Sequence, residues 1–182
     1  MDESTVQKVK EAHDAIAQAQ IDFVPVFMNE MPFTFGWWIK VAEVTLPWTL
    51  WIVVRKKEST SRLLFVGFYV MIISCYLDYL GISYGAWRYL VKLTPTIPSY
   101  IPWDFSMIPV FVLLLIQFKQ RIHYLWKALF FGLFTSFVAE PFYKWIGHYD
   151  PKEWKYVYSL PIYMAIYIIA DWLSKRKSFE PI

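Results

Sequence analysis

Long blocks of apolar residues, separated by short polar connections, occupy most of the 182 residues of this chain. Within each block the apolar positions are contiguous rather than confined to one face, which is typical of helices that cross a membrane. The pattern therefore predicts an all-α integral membrane protein, a bundle of five transmembrane helices. The predicted spans cover residues 34–54, 63–81, 103–118, 125–146 and 156–173.

Residues 1–33 are polar and are predicted to form a separate extracytoplasmic segment, followed by the five-helix domain at 34–173 and a cytoplasmic tail at 174–182. Residues 5–23 have apolar positions at helical spacing and are predicted to form an amphipathic helix. The stripe is thin and the opposite face is not basic, so we expect this helix to pack on the outer surface or on a partner. The stripe contains Val6, Val9, His13, Ile16, Ala17, Gln20 and Phe23.

Basic residues are distributed unevenly between the two sets of connections. The connections after the first and third spans, with the C-terminal tail, hold ten Lys and Arg residues against three acidic residues. The other side holds eight basic residues against twelve acidic ones. By the positive-inside rule, this asymmetry predicts a cytoplasmic C-terminus and an N-terminus outside.

The amino-acid composition supports an integral membrane protein and argues against a nucleic-acid partner. Hydrophobic residues make up 57% of the chain and aromatic residues 21%, above the usual proportion for soluble domains. Most of the ten Trp residues lie near span ends, as an aromatic belt requires. The net charge of +3 is small and the basic residues are dispersed, so no nucleic-acid partner is predicted. Cys75 is the sole cysteine, so an internal disulfide is excluded.

A tripeptide of Trp, a basic residue and Tyr occurs twice, at residues 87–89 and 154–156. Each copy follows an apolar stretch that carries one acidic residue near its end. This order predicts a parallel internal repeat of two helical hairpins, at 63–118 and 125–173. Such a repeat would place the two tripeptide loops side by side on the outer face.

Acidic residues lie in or beside the predicted spans, where an ionised group at the bilayer centre costs about 3 kcal/mol. Two of them have a basic partner on the same helix. Glu43 lies three residues after Lys40, and Asp171 lies four residues before Lys175. We expect both to form structural ion pairs.

The other acids are Asp78, Asp104 and Glu140, which are predicted in the outer third of the bundle. Two interpretations stay open. The acids could pair with Arg88 and Lys155 to fasten the loops, or they could line a site for a ligand or an ion. The predicted ligand-binding residues are Asp78, Trp87, Arg88, Tyr89, Trp103, Asp104, Glu140, Trp154, Lys155 and Tyr156.

Motifs for other chemistry do not occur in the sequence. His148 and Asp150 would be available to a divalent cation, yet the three His residues are scattered and no spacing fits a metal motif. The chain has no Gly-rich phosphate loop, no Gly-x-Ser-x-Gly sequence and no Asp-rich prenyl-diphosphate motif. Neither a metal nor a cofactor is therefore predicted.

Several runs resemble a family of small integral membrane proteins from Gram-positive spore-forming bacteria: KKESTSRLLFVGFYVMIISCYLDYLG (56–81), IPWDF (101–105), AEPFYKWIG (139–147), YDP (149–151) and WKYVYSLPIY (154–163). The resemblance covers about residues 40–180. It implies a location in the bacterial inner membrane, and it supplies no catalytic residues.

A second, fainter resemblance is to the membrane lycopene-cyclase domain, which has Trp-x-Tyr followed by Pro-x-Glu-Glu. Here Trp87-Arg88-Tyr89 is followed by Pro102-Trp103-Asp104-Phe105. The first acid of that pattern corresponds to Asp104, whereas Phe105 replaces the second. The resemblance implies a related fold, and the missing carboxylate puts the cyclisation chemistry in doubt.

The function expected from these observations is non-enzymatic. The chain would bind a small amphiphilic or cationic ligand, a lipid or a partner membrane protein in an outward-facing polar-aromatic cavity, as a sensor or accessory subunit. One alternative is an isoprenoid- or lipid-modifying enzyme that uses Asp104 or Glu140 as general acid. The other is a small transporter subunit that forms a homo-oligomer. Each of these functions takes place in the lipid bilayer.

Overall fold

The computed structural model describes residues 2–96, 100–118 and 121–176. Over these residues the chain forms six helices and one pair of short strands, so the predicted helical fold is confirmed. The helices are α1 (Glu3–Glu30), α2 (Phe35–Val54), α3 (Thr60–Ser83), α4 (Trp103–Gln117), α5 (Tyr124–Phe134, continuing through Thr135–Ala139 and Glu140–Trp145) and α6 (Tyr156–Ser174). The strands are β1 (Arg88–Tyr89) and β2 (Tyr149–Asp150).

Helices α2 to α6 begin and end within three residues of the five predicted spans. Among the described helices, two are long and apolar enough to cross a membrane: α3 with its preceding turn (Lys57–Ser83), and α6. Helix α4 is apolar but shorter. Five membrane crossings therefore remain a prediction, while the helices themselves lie where the apolar blocks indicated.

Helix α1 is longer than the predicted 5–23 segment and continues through Pro25. The Asp2 carboxylate caps its first turn by accepting a hydrogen bond from the Thr5 N–H at 2.8 Å. Most of the helix is exposed, but near its middle the Gln20 side chain donates to the Pro95 carbonyl. Helix α1 therefore rests on the loop that follows β1.

Helices α5 and α6 pack closely because Gly132 lies where they meet. A Cβ atom added at Gly132 would lie 2.9 Å from Leu160 Cδ1 and 3.1 Å from the Leu160 carbonyl oxygen. Small residues allow helix backbones to approach in this way. The contact belongs to a core whose fully buried side chains include Val66, Val70, Val112, Leu113, Phe131 and Tyr167.

We expect Gly132→Ala to destabilise the fold by about 1–3 kcal/mol, because the added methyl group meets backbone as well as side chain. The thermal unfolding midpoint of the purified protein measures this loss. Gly67→Ala in α3 is the matched control, since its Cβ would lie 3.4 Å from the flexible Leu113 side chain. Equal midpoints for the two variants would contradict the proposed close packing.

Two π-helical turns interrupt the regular helices, at Trp103–Met107 in α4 and Thr135–Ala139 in α5. A proline follows each turn, Pro109 in α4 and Pro141 in α5. Proline lacks an N–H and clashes with the carbonyl four residues earlier, so the helix widens there. In α4 that carbonyl belongs to Phe105, and it accepts a hydrogen bond from Trp48 Nε1 at 2.8 Å.

The two halves of the predicted repeat differ in helix geometry. Ser74 and Asp78 lie in the regular helix α3, whereas Ser136 lies in the π turn of α5. In the first half the π turn is instead in the second helix of the hairpin. The helices therefore give no support to a duplication, which stays a prediction.

Candidate functional site

The carboxyl groups of Asp78, Asp104 and Glu140 line one cavity of about 300 Å³ between α3, α4, α5 and α6. Tyr84 at the end of α3 also lines this cavity, and it is 86% exposed, so the entrance lies beside it. Seven of the ten predicted site residues form the lining: Asp78, Trp87, Tyr89, Trp103, Asp104, Glu140 and Trp154. In the described structure Arg88, Lys155 and Tyr156 are outside it.

Asp78 lies on the wall that α3 contributes, and its side chain is buried. Its Oδ1 atom accepts two hydrogen bonds, from Trp87 Nε1 at 2.8 Å and from the Tyr89 hydroxyl at 3.0 Å. Its Oδ2 atom accepts no hydrogen bond from an N–H or hydroxyl group among the described residues. The first tripeptide therefore binds one carboxylate oxygen and not the other.

The position of Trp87 is determined by the end of α3. Gly85 has a φ of +69°, and the N–H groups of Gly85 and Ala86 donate to the carbonyls of Ile82 and Gly81 at 2.9 and 2.8 Å. These bonds form a Schellman motif, which reverses the chain direction. The Trp87 ring then folds back onto Gly81, where an added Cβ would lie only 2.0 Å from the ring.

The second tripeptide meets the first at this point. The Trp154 ring packs edge-to-face on the Trp87 ring, with centroids 4.9 Å apart, and Trp154 Nε1 donates to Ser159 Oγ at 2.8 Å. The expected side-by-side arrangement of the two loops is therefore present at their tryptophans. Lys155 is exposed, in contrast.

Asp104 lies in the π turn of α4 and is almost completely buried. Its Oδ2 atom accepts a hydrogen bond from the Tyr100 N–H at 3.2 Å. The Asp104 and Asp78 carboxyl groups, from different helices, lie within hydrogen-bonding reach of each other. The cavity therefore contains a close carboxyl pair.

Glu140 directly follows the π turn of α5 and is buried on the wall that α5 contributes. Its side chain interacts with the hydroxyl groups of Ser159 and Tyr163 on α6. Tyr163 also accepts a hydrogen bond from Trp103 Nε1 at 3.2 Å. Among the described residues, Glu140 Oε2 has no partner.

The cations of the site are not those predicted. Arg88 forms an ion pair with Asp150 at 2.7 Å, in register with the antiparallel pairing of β1 and β2. In the described structure Arg88 therefore pairs with an acid of the neighbouring strand, unlike the interpretation in which it fastens the loops to the span acids. Hydrogen bonds from the Lys152 N–H and from Arg88 hold the pKa of Asp150 below its ordinary value.

Lys92 is the basic group that interacts with Asp78 and Asp104, and the sequence interpretation missed it. Burial lowers the pKa of Lys92 to about 8, while the two carboxylates oppose this shift. Its ammonium donates to the Thr96 carbonyl. Lys92 lies in an irregular loop, where no periodic pattern indicates which way a side chain points.

Ser159 and Tyr163 were also missed, although a signal existed. They are four residues apart on α6 and so occupy one face of that helix. Buried hydroxyl groups on one face of an apolar helix indicate a polar partner on the neighbouring helix. Here that partner is Glu140.

The two predicted structural ion pairs are confirmed. Lys40 Nζ lies 2.7 Å from Glu43 Oε2, and Lys175 Nζ lies 2.6 Å from Asp171 Oδ2. Lys40 is completely buried, and its ammonium also lies 4.6 Å from the centroid of the Tyr143 ring. The Lys40–Glu43 pair thus forms a second polar cluster beside the cavity.

His148 belongs to this second cluster and lies in the turn after α5. Burial and the charge of Lys40 lower the pKa of His148 to about 4. The unfolded chain takes up a proton near pH 6.5, whereas the folded chain resists it down to about pH 4. The unfolded state therefore binds more protons in this window, and stability falls as the pH falls through it.

We expect His148→Gln to lose less stability than the wild type between pH 7 and pH 5. Thermal midpoints measured at both pH values give the comparison. His13→Gln, at an exposed position on α1, is the control and should follow the wild type. The same acid-induced loss in His148→Gln and the wild type would show that His148 does not stay neutral in the fold.

A larger groove of about 950 Å³ lies on the other side of the cavity wall, between α2, α4 and α5. Most of its lining is apolar, including the exposed side chains of Leu46, Leu50 and Phe142. Trp103 and Tyr143 line both spaces. These two rings therefore separate the apolar groove from the acid-lined cavity.

Within the described part of the chain, no group of three or more His, Cys, Asp or Glu side chains is arranged to hold a metal ion. Comparison of the chain with known protein families, curated proteins and solved structures finds no match. Both sequence resemblances therefore stay predictions. The fold and the cavity define a helical protein with two helices able to cross a membrane and a buried, acid-lined aromatic site.

Proposed function

We propose that the chain is a five-span membrane protein that binds a small amphiphilic ligand in its cavity, as a sensor or an accessory subunit. The observation that carries this proposal is the convergence of Asp78, Asp104 and Glu140, from three helices, on one cavity walled by Trp87 and Trp154. Structural acids in a membrane protein pair with cations, as Glu43 does. These three acids instead face a shared space, and Lys92 is the one basic residue found to interact with two of them in the described structure.

The size and composition of the cavity fit a small ligand. Its volume of about 300 Å³ is at the lower end of the range for small-molecule sites. Such sites combine apolar walls with a few polar groups, and aromatic rings surround the acids here. Unsatisfied oxygens on Asp78 and Glu140 are available to a ligand with hydrogen-bond donors.

The position of the basic residues supports an outward-facing cavity. Lys127 donates to the carbonyls of Leu115 and Phe118 at 2.7 and 2.9 Å, at the end of α4 remote from Asp104. The positive-inside rule places this basic end in the cytoplasm. We therefore propose that the cavity opens to the outside, with the N-terminus outside and the C-terminus inside. Reporter fusions at the N-terminus and in the 55–62 loop test this orientation.

Ligand screening tests the binding function. The purified protein is incubated with a panel of short-chain amines, alcohols and lipids, and its thermal midpoint and tryptophan fluorescence are measured. We expect a ligand that stabilises the wild type but not Asp104→Asn or Glu140→Gln. Asp171→Asn, at the basic end, should respond like the wild type. A panel that never distinguishes the wild type from the two cavity variants would contradict the proposal.

One feature favours a second candidate, an isoprenoid- or lipid-modifying enzyme. Asp78 and Asp104 are neighbouring carboxyl groups in the cavity, and a carboxyl group that carries a proton can serve as general acid. In this alternative Asp104 or Glu140 donates a proton to a double bond or a leaving group. Mass spectrometry of lipids incubated with the wild type and with Asp104→Asn would reveal a product formed by the wild type alone.

A further inference from the structure

We infer that the ligand of this cavity is an organic cation, an alkylammonium ion with a short apolar tail. The inference rests on the proposed binding function and specifies the ligand class. It follows from three features of the lining: its charge, its unsatisfied oxygens and its aromatic faces.

The lining is acidic. Among the described residues that form it, three have carboxyl side chains and none is Lys, Arg or His. Lys92 interacts with the Asp78 and Asp104 pair from outside the lining. The polar groups that interact with Glu140 are the neutral hydroxyl groups of Ser159 and Tyr163. A cation that enters the cavity would therefore meet more carboxyl groups than the protein's own neighbouring cation balances, whereas an anionic headgroup would be repelled.

Two buried oxygens mark where the positive group would lie. Asp78 is 5% exposed and Glu140 is 7% exposed, and both residues line the cavity. In the described structure no N–H or hydroxyl group donates to Asp78 Oδ2 or Glu140 Oε2, and the carboxyl neighbour of Asp78, Asp104, has no donor when it is ionised. A buried acceptor without a donor carries the desolvation penalty of that group uncompensated. An ammonium group has three donors and satisfies such oxygens while neutralising charge.

The aromatic walls suit the same occupant. The Trp87 and Trp154 indole N–H groups are already used, by Asp78 and Ser159, so their remaining surface is apolar ring. Ring faces attract cations, and Trp attracts them most strongly. The protein itself places a buried ammonium in this way, with Lys40 4.6 Å from the Tyr143 ring centroid.

A matched pair of probes tests the inference. Hexylammonium and hexan-1-ol have the same chain, and both occupy a small apolar space. We expect hexylammonium to bind the purified wild-type protein at least about tenfold more tightly, which corresponds to about 1.4 kcal/mol. Binding is followed by tryptophan fluorescence at pH 7 with constant salt, since Trp87 and Trp154 line the cavity.

Variants show which residues cause the preference for hexylammonium over hexan-1-ol. Glu140→Gln and Asp78→Asn should each reduce the ratio of the two affinities toward one, because they remove charge and retain shape. Asp171→Asn, at the opposite end of the bundle, should keep the wild-type ratio. If a cavity variant fails to fold, the ratio of the wild-type affinities for hexylammonium and hexan-1-ol is the test of the inference. A ratio that both cavity variants leave unchanged would place the ammonium elsewhere and overturn the inference.

The outcomes separate the inference from the binding function. Equal affinities for hexylammonium and hexan-1-ol would overturn the cation inference and leave the amphiphile site in place. Absence of binding by either probe, with no response to the wider ligand panel, would overturn the binding function as well. Tight binding of hexylammonium alone would support both.

Discussion

Gly81→Ala is expected to displace Trp87 from the cavity wall and to remove ligand binding. The added Cβ would lie 2.0 Å from the Trp87 ring, and no rotation of alanine relieves this overlap. The ring must move, and its hydrogen bond to Asp78 at 2.8 Å is lost. Overpacking and a lost hydrogen bond to a charged group each cost about 1–3 kcal/mol. We expect a combined loss of about 3 kcal/mol in unfolding free energy.

A double-mutant cycle measures this contact. Trp87→Ala alone removes the ring, and the double variant with Gly81→Ala no longer contains the overlap. The loss of unfolding free energy in the double variant should therefore be smaller than the sum of the two single losses, by about 1–3 kcal/mol. Gly67→Ala lies on the same helix and should be close to the wild type, since its Cβ has ordinary contacts. Additive losses would contradict the placement of Trp87 on Gly81.

Glu43→Gln is expected to destabilise the protein by about 3 kcal/mol or more, because it leaves the buried Lys40 ammonium without its counter-charge. Lys40 has no exposed surface, and both Glu43 oxygens lie within 3.0 Å of its Nζ atom. The Tyr143 ring at 4.6 Å offers only a partial replacement. The midpoint of chemical or thermal unfolding in detergent measures the loss.

The matched comparison is the double variant Lys40→Met with Glu43→Leu. Replacing both members of a buried ion pair by apolar residues is often neutral or stabilising. The double variant should therefore be markedly more stable than Glu43→Gln. A single variant as stable as the wild type would indicate that water or lipid headgroups reach Lys40, contrary to its complete burial.

The positions of helices α2 to α6 were predictable because charged residues mark the ends of the apolar blocks. Between α2 and α3, for example, the sequence changes from uninterrupted apolar residues to Arg55 and Lys56 and back within a few positions. The prediction ended the N-terminal helix before Pro25, yet α1 continues to Glu30. Pro25 removes the hydrogen bond to the Ile21 carbonyl, but Ile21 is exposed, so water can satisfy that carbonyl and the helix continues.

The acids of the site were predictable, and their cations were not. A carboxyl group in an apolar span must face the bundle interior, so Asp78, Asp104 and Glu140 could be expected to converge. The pairing of β1 with β2 places Arg88 opposite Asp150. A strand of only two residues has no periodic pattern that could be recognised in the sequence. The same is true of Lys92, whose position depends on the loop around it.

The most direct measurement of the central claim is a crystal structure of the protein in lipid with 6-bromohexylammonium, located by the anomalous signal of bromine. We predict one bromine peak inside the cavity, with the ammonium group at hydrogen-bonding distance from Asp78 or Glu140. The contrary result is a structure in which the three carboxyl groups turn away from one another toward solvent or headgroups. Bromine found only in the apolar groove between α2, α4 and α5 would equally contradict the account.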